Sequence, residues 1–315
     1  MTDSIIMLKH AIPYIRLYKG KIFVVKVGGR IVGRRDMLDY LIEDVSLLQQ
    51  VGIQVVLVHG GGPQASEMSR KLGLEPEIIN GRRVTDAQTL EVAKMVYAGT
   101  LNIDILSSLR SHHTEAVGVS GVDGNLITAH KRPKTMVEST SGAEPTEVDF
   151  GFVGDIDKVD PQILQHLLAG GLTPVVSCLG CDAEGTILNI NADSVAEAIA
   201  RSLKAEKLVI VTDVEGLLKD ASNPASLVSY TDVEEVESFK KQGYLTGGML
   251  PKVDACLNAL KGGVRRTHII NGAKPGALLR EIFTNAGCGT MIVEKRERQA
   301  YQQVELAPEE EKAAV

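Results

Sequence analysis

The strongest constraint on the fold of this chain is an alternation between short apolar runs and longer stretches with helical spacing. IFVVKV at 22–27, QVVLV at 54–58, LVIVT at 208–212 and THII at 267–270 are rich in β-branched residues. Strands of that kind are buried on both faces, the habit of a mainly parallel sheet. Between them, Leu38, Leu41, Ile42, Val45 and Leu48 keep the spacing of a helix with one apolar face. So do Ile163, Leu164, Leu167 and Leu168, then Val195, Ala196, Ile199 and Leu203, then Val253, Cys256, Leu257 and Leu260. Strands and helices in turn predict a layered α/β protein, with helices covering a sheet.

Length and charge narrow the function. With 315 residues, 44% hydrophobic and 23% charged, the chain can bury a sizeable core in one large domain or two modest ones. A net charge of −6 argues against a nucleic-acid or membrane-surface binder, and 4% aromatic residues against a base-stacking platform. Near the start, Asp3, Lys9, His10 and Pro13 break any apolar export signal around Ile5, Ile6, Met7 and Leu8. The cysteines Cys178, Cys181, Cys256 and Cys288 are too scattered for a disulfide framework, so a cytoplasmic location is expected.

The organisation follows. A helix over 1–20 precedes a single domain over 21–295, whose halves (about 21–195 and 196–295) meet near a helix that starts around Asp193. The stretches 139–147 and 220–226 read as loops. The acidic end, 296–315, reads as disordered.

Glycine is the informative residue: 31 positions, against an average of about 7%. Gly28-Gly29 follows the first apolar run, and Gly60-Gly61-Gly62-Pro63 follows the second. In open α/β sheets, ligands gather at the carboxyl ends of strands. Glycine lets backbone N–H groups approach phosphate oxygens, and Pro63 suits the first turn of an anion-attracting helix. A tight turn uses the same residues, but two such clusters, with Lys26 just ahead of one, favour phosphate. Standard nucleotide motifs are missing. GGRIVGRR at 28–35 ends in two arginines where a P-loop needs Lys-Ser/Thr, and no G-x-G-x-x-G follows the first run.

Two more groups carry chemistry. In LNINAD at 188–193, alternation puts Asn189 and Asn191 on one side, and Asp193 starts a helix as a ligand or merely as its N-cap. In TGGMLPK at 246–252, Lys252 sits near the positive end of a helix, which calls for a nearby anion or a side chain reaching water. His59 and the His112-His113 pair read as structural and surface residues. Cys178 and Cys181 have the spacing of a zinc or redox half-site, but without a second pair they read as a chance couple.

Taken in order, YIRLYKGKIFVVKVGG, LVHGGGPQ, NGRRVTD, VGVSGVDGNLITA, GFVGDI, LNINAD, LVIVTDVEGL, TGGMLPKV and GTMIVEK resemble the amino acid kinase family. The likeness is closest to members that phosphorylate N-acetyl-L-glutamate in arginine biosynthesis, and runs from roughly 12 to 295. It implies a three-layer αβα sandwich with a mainly parallel central sheet, the acyl-substrate lobe first and the ATP lobe second. It also implies ATP as phosphoryl donor, with Mg²⁺ held mainly by the phosphates. Lys26 and Lys252 would neutralise the phosphoryl group in flight, with Asp193 holding both. Gly60, Gly61, Arg83, Asn189 and Asn191 would bind the substrate. Gly28, Gly29, Thr212, Asp213, Gly247, Gly248 and Met249 would face the nucleotide, and Gly28, Gly29, Gly60 and Gly61 would offer N–H groups. A carboxylate nucleophile is already ionised at neutral pH, so catalysis reduces to positioning and charge stabilisation.

Arginine-sensitive members of the family join dimers into a hexamer through N-terminal helices. Here Ile5, Leu8, Ile12 and Ile15 form an apolar stripe, and Lys207, His268, Glu281 and Gly289 match the stretches of an L-arginine effector site. Asn271 and Ala273 stand where the family usually has Asp and Arg. A homo-oligomer is therefore expected, with arginine as its effector. Rival readings are a sister kinase for carrier-linked aminoadipate and a catalytically silent arginine sensor. The presence of Lys26, Asp193 and Lys252 together argues against the silent one.

Overall fold

The computed structural model describes residues 2–79, 82–137, 144–220, 222–284, 287–295 and 297. Its main sheet has eight strands in the order Tyr230–Asp232, Thr290–Val293, Arg266–Asn271, Lys207–Thr212, Ile22–Val27, Gln54–His59, Thr173–Ser177 and Ala116–Ser120. The apolar runs read from sequence are the consecutive strands at its centre. Pairing is parallel from Arg266–Asn271 to Ala116–Ser120, and Thr290–Val293 turns antiparallel at one side. Burial explains the arrangement. Lys207–Thr212 is buried at every position, and Ile22–Val27 at all but its first. Such strands need cover on both faces.

Helices provide it. Arg35–Gln50 buries Leu38, Leu41, Ile42, Val45 and Leu48, and packs with Asn102–Ser111 and Ala277–Phe283. Ala192–Ser202 and Met249–Lys261 pack together, burying Val195, Ala196 and Ile199 with Val253, Cys256 and Leu257. Fully burying one Val, Leu or Ile side chain stabilises by about 1.5–3 kcal/mol, so this layering is the main source of stability. A mainly parallel sheet flanked by helices is the expected sandwich. Ala192–Ser202 leads into Lys207–Thr212, which pairs with Ile22–Val27, so the strands before and after that helix share one sheet.

A second, four-stranded sheet joins Ile187–Asn189, Leu179–Cys181, Ile127–Lys131 and Gly154–Val159. Short ribbons pair Ile78–Ile79 with Arg82–Arg83, and Thr135–Val137 with Thr146–Val148. The last ribbon corrects the loop expected at 139–147. Its end is a strand, paired antiparallel with the nearby segment Thr135–Val137, while 139–143 lies outside the described residues. Of the tail expected at 296–315, only Glu297 is described; the rest lies outside.

The N-terminal helix, Thr2–Tyr18, is tied to the core by Tyr14 and Tyr18. Tyr18 is buried, meets the Phe23 ring edge-on at 5.3 Å, and lies 4.9 Å beneath Lys207 Nζ. Tyr14 packs on the same core, whereas Ile12 is exposed and Ile15 half-buried. The side chains of Ile5 and Leu8 lie outside the description.

Candidate active site

Lys26 stands one residue before the carboxyl end of a central strand, its backbone paired with Val58 and Ile210 on either side. Its Nζ lies 2.8 Å from Asp193 Oδ1. Lys252, from the first turns of Met249–Lys261, places Nζ 3.1 Å from Asp193 Oδ2. One carboxylate thus bridges two lysines from separate elements. Asp193 is free to do so because it is not the helix cap. Asn191 Oδ1 accepts the N–H groups of Asp193 at 2.9 Å and Ser194 at 3.1 Å. Capping of this kind stabilises by about 0.5–2 kcal/mol. Sequence offered Asp193 as a ligand or as the N-cap; the structure assigns the cap to Asn191.

The electrostatics follow from burial. Desolvation opposes the charge on Asp193, yet Lys26 and Lys252 hold its pKa below the ordinary carboxylate range. Burial, then the charge of Lys26, pulls the pKa of Lys252 down against the pull of Asp193. Two cations and one anion leave a positive surplus in a desolvated place, and that surplus favours an anionic ligand.

The two glycine turns interlock beside this bridge. A Cβ on Gly29 would sit 2.9 Å from Pro63 Cδ, and one on Gly61 would run into Tyr97 and Leu101. The expected N–H donors need a correction. Gly28 N–H is spent on Val211 O at 3.0 Å, and Gly60 N–H points to Val27 O at 3.4 Å, because both still belong to the strand ladder. Helix geometry leaves free the N–H groups of the first turn. Those belong to Gly29, opening Gly29–Val32, and to Gly62, opening Gly62–Lys71, with Gly61 at the cap between.

Thr212 and Asp213 close the other side. Arg30 Nη1 reaches Asp213 Oδ2 at 2.5 Å, joining the first glycine turn to the end of Lys207–Thr212. Despite partial burial, that guanidinium holds Asp213 below its usual pKa. Gly247, at φ +54°, and Gly248 lead into the helix begun by Met249 that carries Lys252.

Arg83 is anchored to the second turn. Its Nη2 donates to Gly62 O at 2.7 Å and Ser66 Oγ at 2.5 Å. Its buried Nη1 has no acceptor among the described residues. Asn189 Nδ2 donates to buried Thr85 Oγ1 at 3.1 Å. Tyr97 was not anticipated. It is buried beside Arg83, Cys178 and Gly61, on a π-helical turn, Met95–Leu101, that leaves no mark in sequence periodicity.

Lys207, His268, Glu281 and Gly289 also converge. Lys207 Nζ lies 3.1 Å from His268 Nε2, and His268 Nδ1 lies 2.7 Å from Glu281 Oε1. Glu281 Oε2 accepts from Cys288 N at 2.8 Å and Gly289 N at 3.0 Å. Burial, then Lys207, pushes His268 down to about 4. Burial works against charge on Glu281, but His268 and the backbone donors hold it at about 2. Both carboxylate oxygens are therefore engaged inside the protein.

The amino acid kinase family model matches residues 21–271. Acetylglutamate kinase from Symbiobacterium thermophilum is 45% identical over 291 residues, 92% of this chain and 98% of that protein. Acetylglutamate kinase from Methanocaldococcus jannaschii is 44% identical over 292 residues, 93% of this chain and 97% of its own. Among solved structures, N-acetylglutamate synthase from Neisseria gonorrhoeae with coenzyme A and N-acetyl-glutamate superposes with a TM-score of 0.79 at 30% identity over 92% of this chain. The chain spans 63% of that synthase. Carbamate kinase from Giardia lamblia bound to AMP-PNP shares the fold, with a TM-score of 0.61 at 17% identity over 88% of this chain and 99% of its own.

Proposed function

The chain belongs to the amino acid kinase family, in its acetylglutamate kinase branch, and on that premise we propose that it transfers the γ-phosphoryl group of ATP to the side-chain carboxylate of N-acetyl-L-glutamate. The products are N-acetyl-L-glutamyl 5-phosphate and ADP, a step of arginine biosynthesis. The observation that carries this reading is the single carboxylate of Asp193 between Lys26 and Lys252.

A carboxylate oxygen of the substrate forms a bond to the γ-phosphorus while the bond to the β,γ-bridging oxygen breaks, and ADP leaves with that electron pair. No proton needs removal, since the nucleophile is ionised. The difficulty is the approach of two anions, and the two ammonium groups offset it where water is excluded. Asp193 keeps both aimed at the same place. Arg83, anchored beside the second glycine turn, suits a substrate carboxylate through charge-assisted hydrogen bonds. Gly61 and Gly29 supply backbone donors, Asn189 and Asn191 border the substrate, and Gly28, Thr212, Asp213, Gly247, Gly248 and Met249 border the nucleotide. Mg²⁺ arrives as MgATP, bound chiefly by phosphate oxygens.

Neither carrier-linked aminoadipate nor a silent sensor is favoured, since the curated relatives are acetylglutamate kinases and both lysines are in place. A cytoplasmic setting suits the four unpaired thiols. L-arginine remains the effector this reading assigns to a homo-oligomer, with its guanidinium competing against His268 for Glu281. MgATP-dependent ADP release with acetylglutamate, glutamate, aspartate and aminoadipate tests the substrate. Acetylglutamate should give the highest kcat/KM, and preference for another acid would reassign the enzyme.

A further inference from the structure

A chain of buried polar groups runs from the core to the second glycine turn. Val175 O, which can only accept, lies 3.0 Å from Asn102 Nδ2, so that atom is the amide nitrogen. The same nitrogen stands 3.2 Å from His59 Nε2. An amide nitrogen only donates, so Nε2 carries no proton, and the one proton of the neutral ring sits on Nδ1. Nδ1 lies 3.2 Å from Gly60 O and donates to it. Burial, which pushes the ring down to about 4, keeps it in this neutral form.

The direction of one peptide follows. The described residues contain no cis peptide bond, and in a trans peptide the C=O and N–H point opposite ways. With Gly60 O held toward His59, the N–H of Gly61 turns away from the core, toward the side where the glycine turns meet. Two features maintain the arrangement. Gly118 leaves room for Asn102, because a Cβ there would collide with Asn102 Oδ1. The π turn Met95–Leu101 ends immediately before Asn102, and its extra residue rotates Asn102 by about 100° relative to an uninterrupted α-helix. Burying such groups is costly unless every one is paired. Here the pairing ends on the carbonyl of the turn.

We propose that His59 and Asn102 are positioning residues, which fix the Gly60–Gly61 peptide so that Gly61 N–H faces the phosphoryl group during transfer. This rests on the kinase reading above. In the full-length protein, His59→Leu removes the donor to Gly60 O, while His59→Asn keeps a donor near the Nδ1 position. A misaimed donor to developing charge should lower kcat roughly ten- to hundredfold for His59→Leu. Inhibition by MgADP with fluoroaluminate and acetylglutamate, which mimics the transferring phosphoryl group, should weaken by a similar factor. The KM for ATP should stay near wild type, and His59→Asn should recover most of both losses. Asn102→Ala, read the same way, serves where His59→Leu does not fold. Wild-type kcat in His59→Leu would overturn the proposal. So would a kcat loss equal in both His59 variants with mimic inhibition unchanged, which marks a purely structural histidine. A wild-type protein inactive on acetylglutamate would instead remove the kinase reading itself.

Discussion

The ammonium of Lys26 and the carboxylate of Asp193 face each other at 2.8 Å, with both side chains only 6% exposed. Lys252 takes the second oxygen of the same carboxylate. Asp193 therefore couples two lysines that approach from opposite ends of the sequence, and changes at Asp193 are felt by both.

Replacing Asp193 with Asn should lower kcat by about 10²–10³ through loss of lysine alignment. The pH profile should change as well. Asp193 is the group that raises the pKa of Lys252 against burial and the charge of Lys26. Without it that pKa falls further, so the alkaline limb of the kcat profile should move to lower pH. A limb that stays in place would separate Lys252 from the titration.

Stability should divide the bridge differently from activity. Asp193→Ala leaves two buried ammonium groups unpaired, a loss of about 3–5 kcal/mol in chemical denaturation. Lys252→Ala leaves Asp193 still paired with Lys26, and should cost less than half as much while abolishing turnover. Equal losses in the two variants would contradict the shared-carboxylate arrangement.

Truncation should reveal where the N-terminal helix is anchored. Removing 2–18 takes Tyr18 out of the core, uncovering Phe23 and Lys207, at about 3–5 kcal/mol by analogy with large aromatic deletions. Removing 2–11 spares Tyr14 and Tyr18 and should leave the melting temperature nearly unchanged. Light scattering on the shorter deletion then tests the helix as an oligomer contact. If both deletions melt alike, tyrosine anchoring is excluded.

Asp44 offers a clean pH test. It accepts the N–H of Leu278 at 3.0 Å from a helix distant in sequence, and burial raises its pKa to about 6. A carboxyl with a raised folded pKa contributes stability that is present below its ordinary range and lost as pH rises through about 6. Asp44→Asn retains an acceptor without the charge. The variant should gain on wild type by about 1–3 kcal/mol as pH rises from about 4 to about 6, and keep that gain at higher pH. His59 and His268, buried and neutral, act in the opposite sense, losing stability as pH falls from about 6.5 to about 4. Comparison of variant with wild type cancels their effect.

The centre of the fold was legible because its strands are continuous apolar runs, which only a doubly covered sheet accommodates. Ala116–Ser120 was not, since it is mostly half-buried and interrupted by Gly118. Nor were the three-residue strands, which are too short to show an alternation of their own. At the site, Lys26, Asp193 and Lys252 stood out by their motifs, but motif spacing could not tell whether Asp193 was a ligand or the N-cap, and it did not single out Asn191 as the cap. In the N-terminal helix, apolar periodicity did not single out Tyr14 and Tyr18, which pack on the core. Asn102 stayed hidden because a π turn sets the face it presents, and its partner His59 is 43 residues away.

Trapping the acyl phosphate is the most direct test of phosphoryl transfer to a carboxylate. With MgATP, N-acetyl-L-glutamate and hydroxylamine, the protein should form the corresponding hydroxamate in step with ADP release, and Lys26→Ala should form almost none. ADP release without hydroxamate, or a full yield from Lys26→Ala, would contradict it.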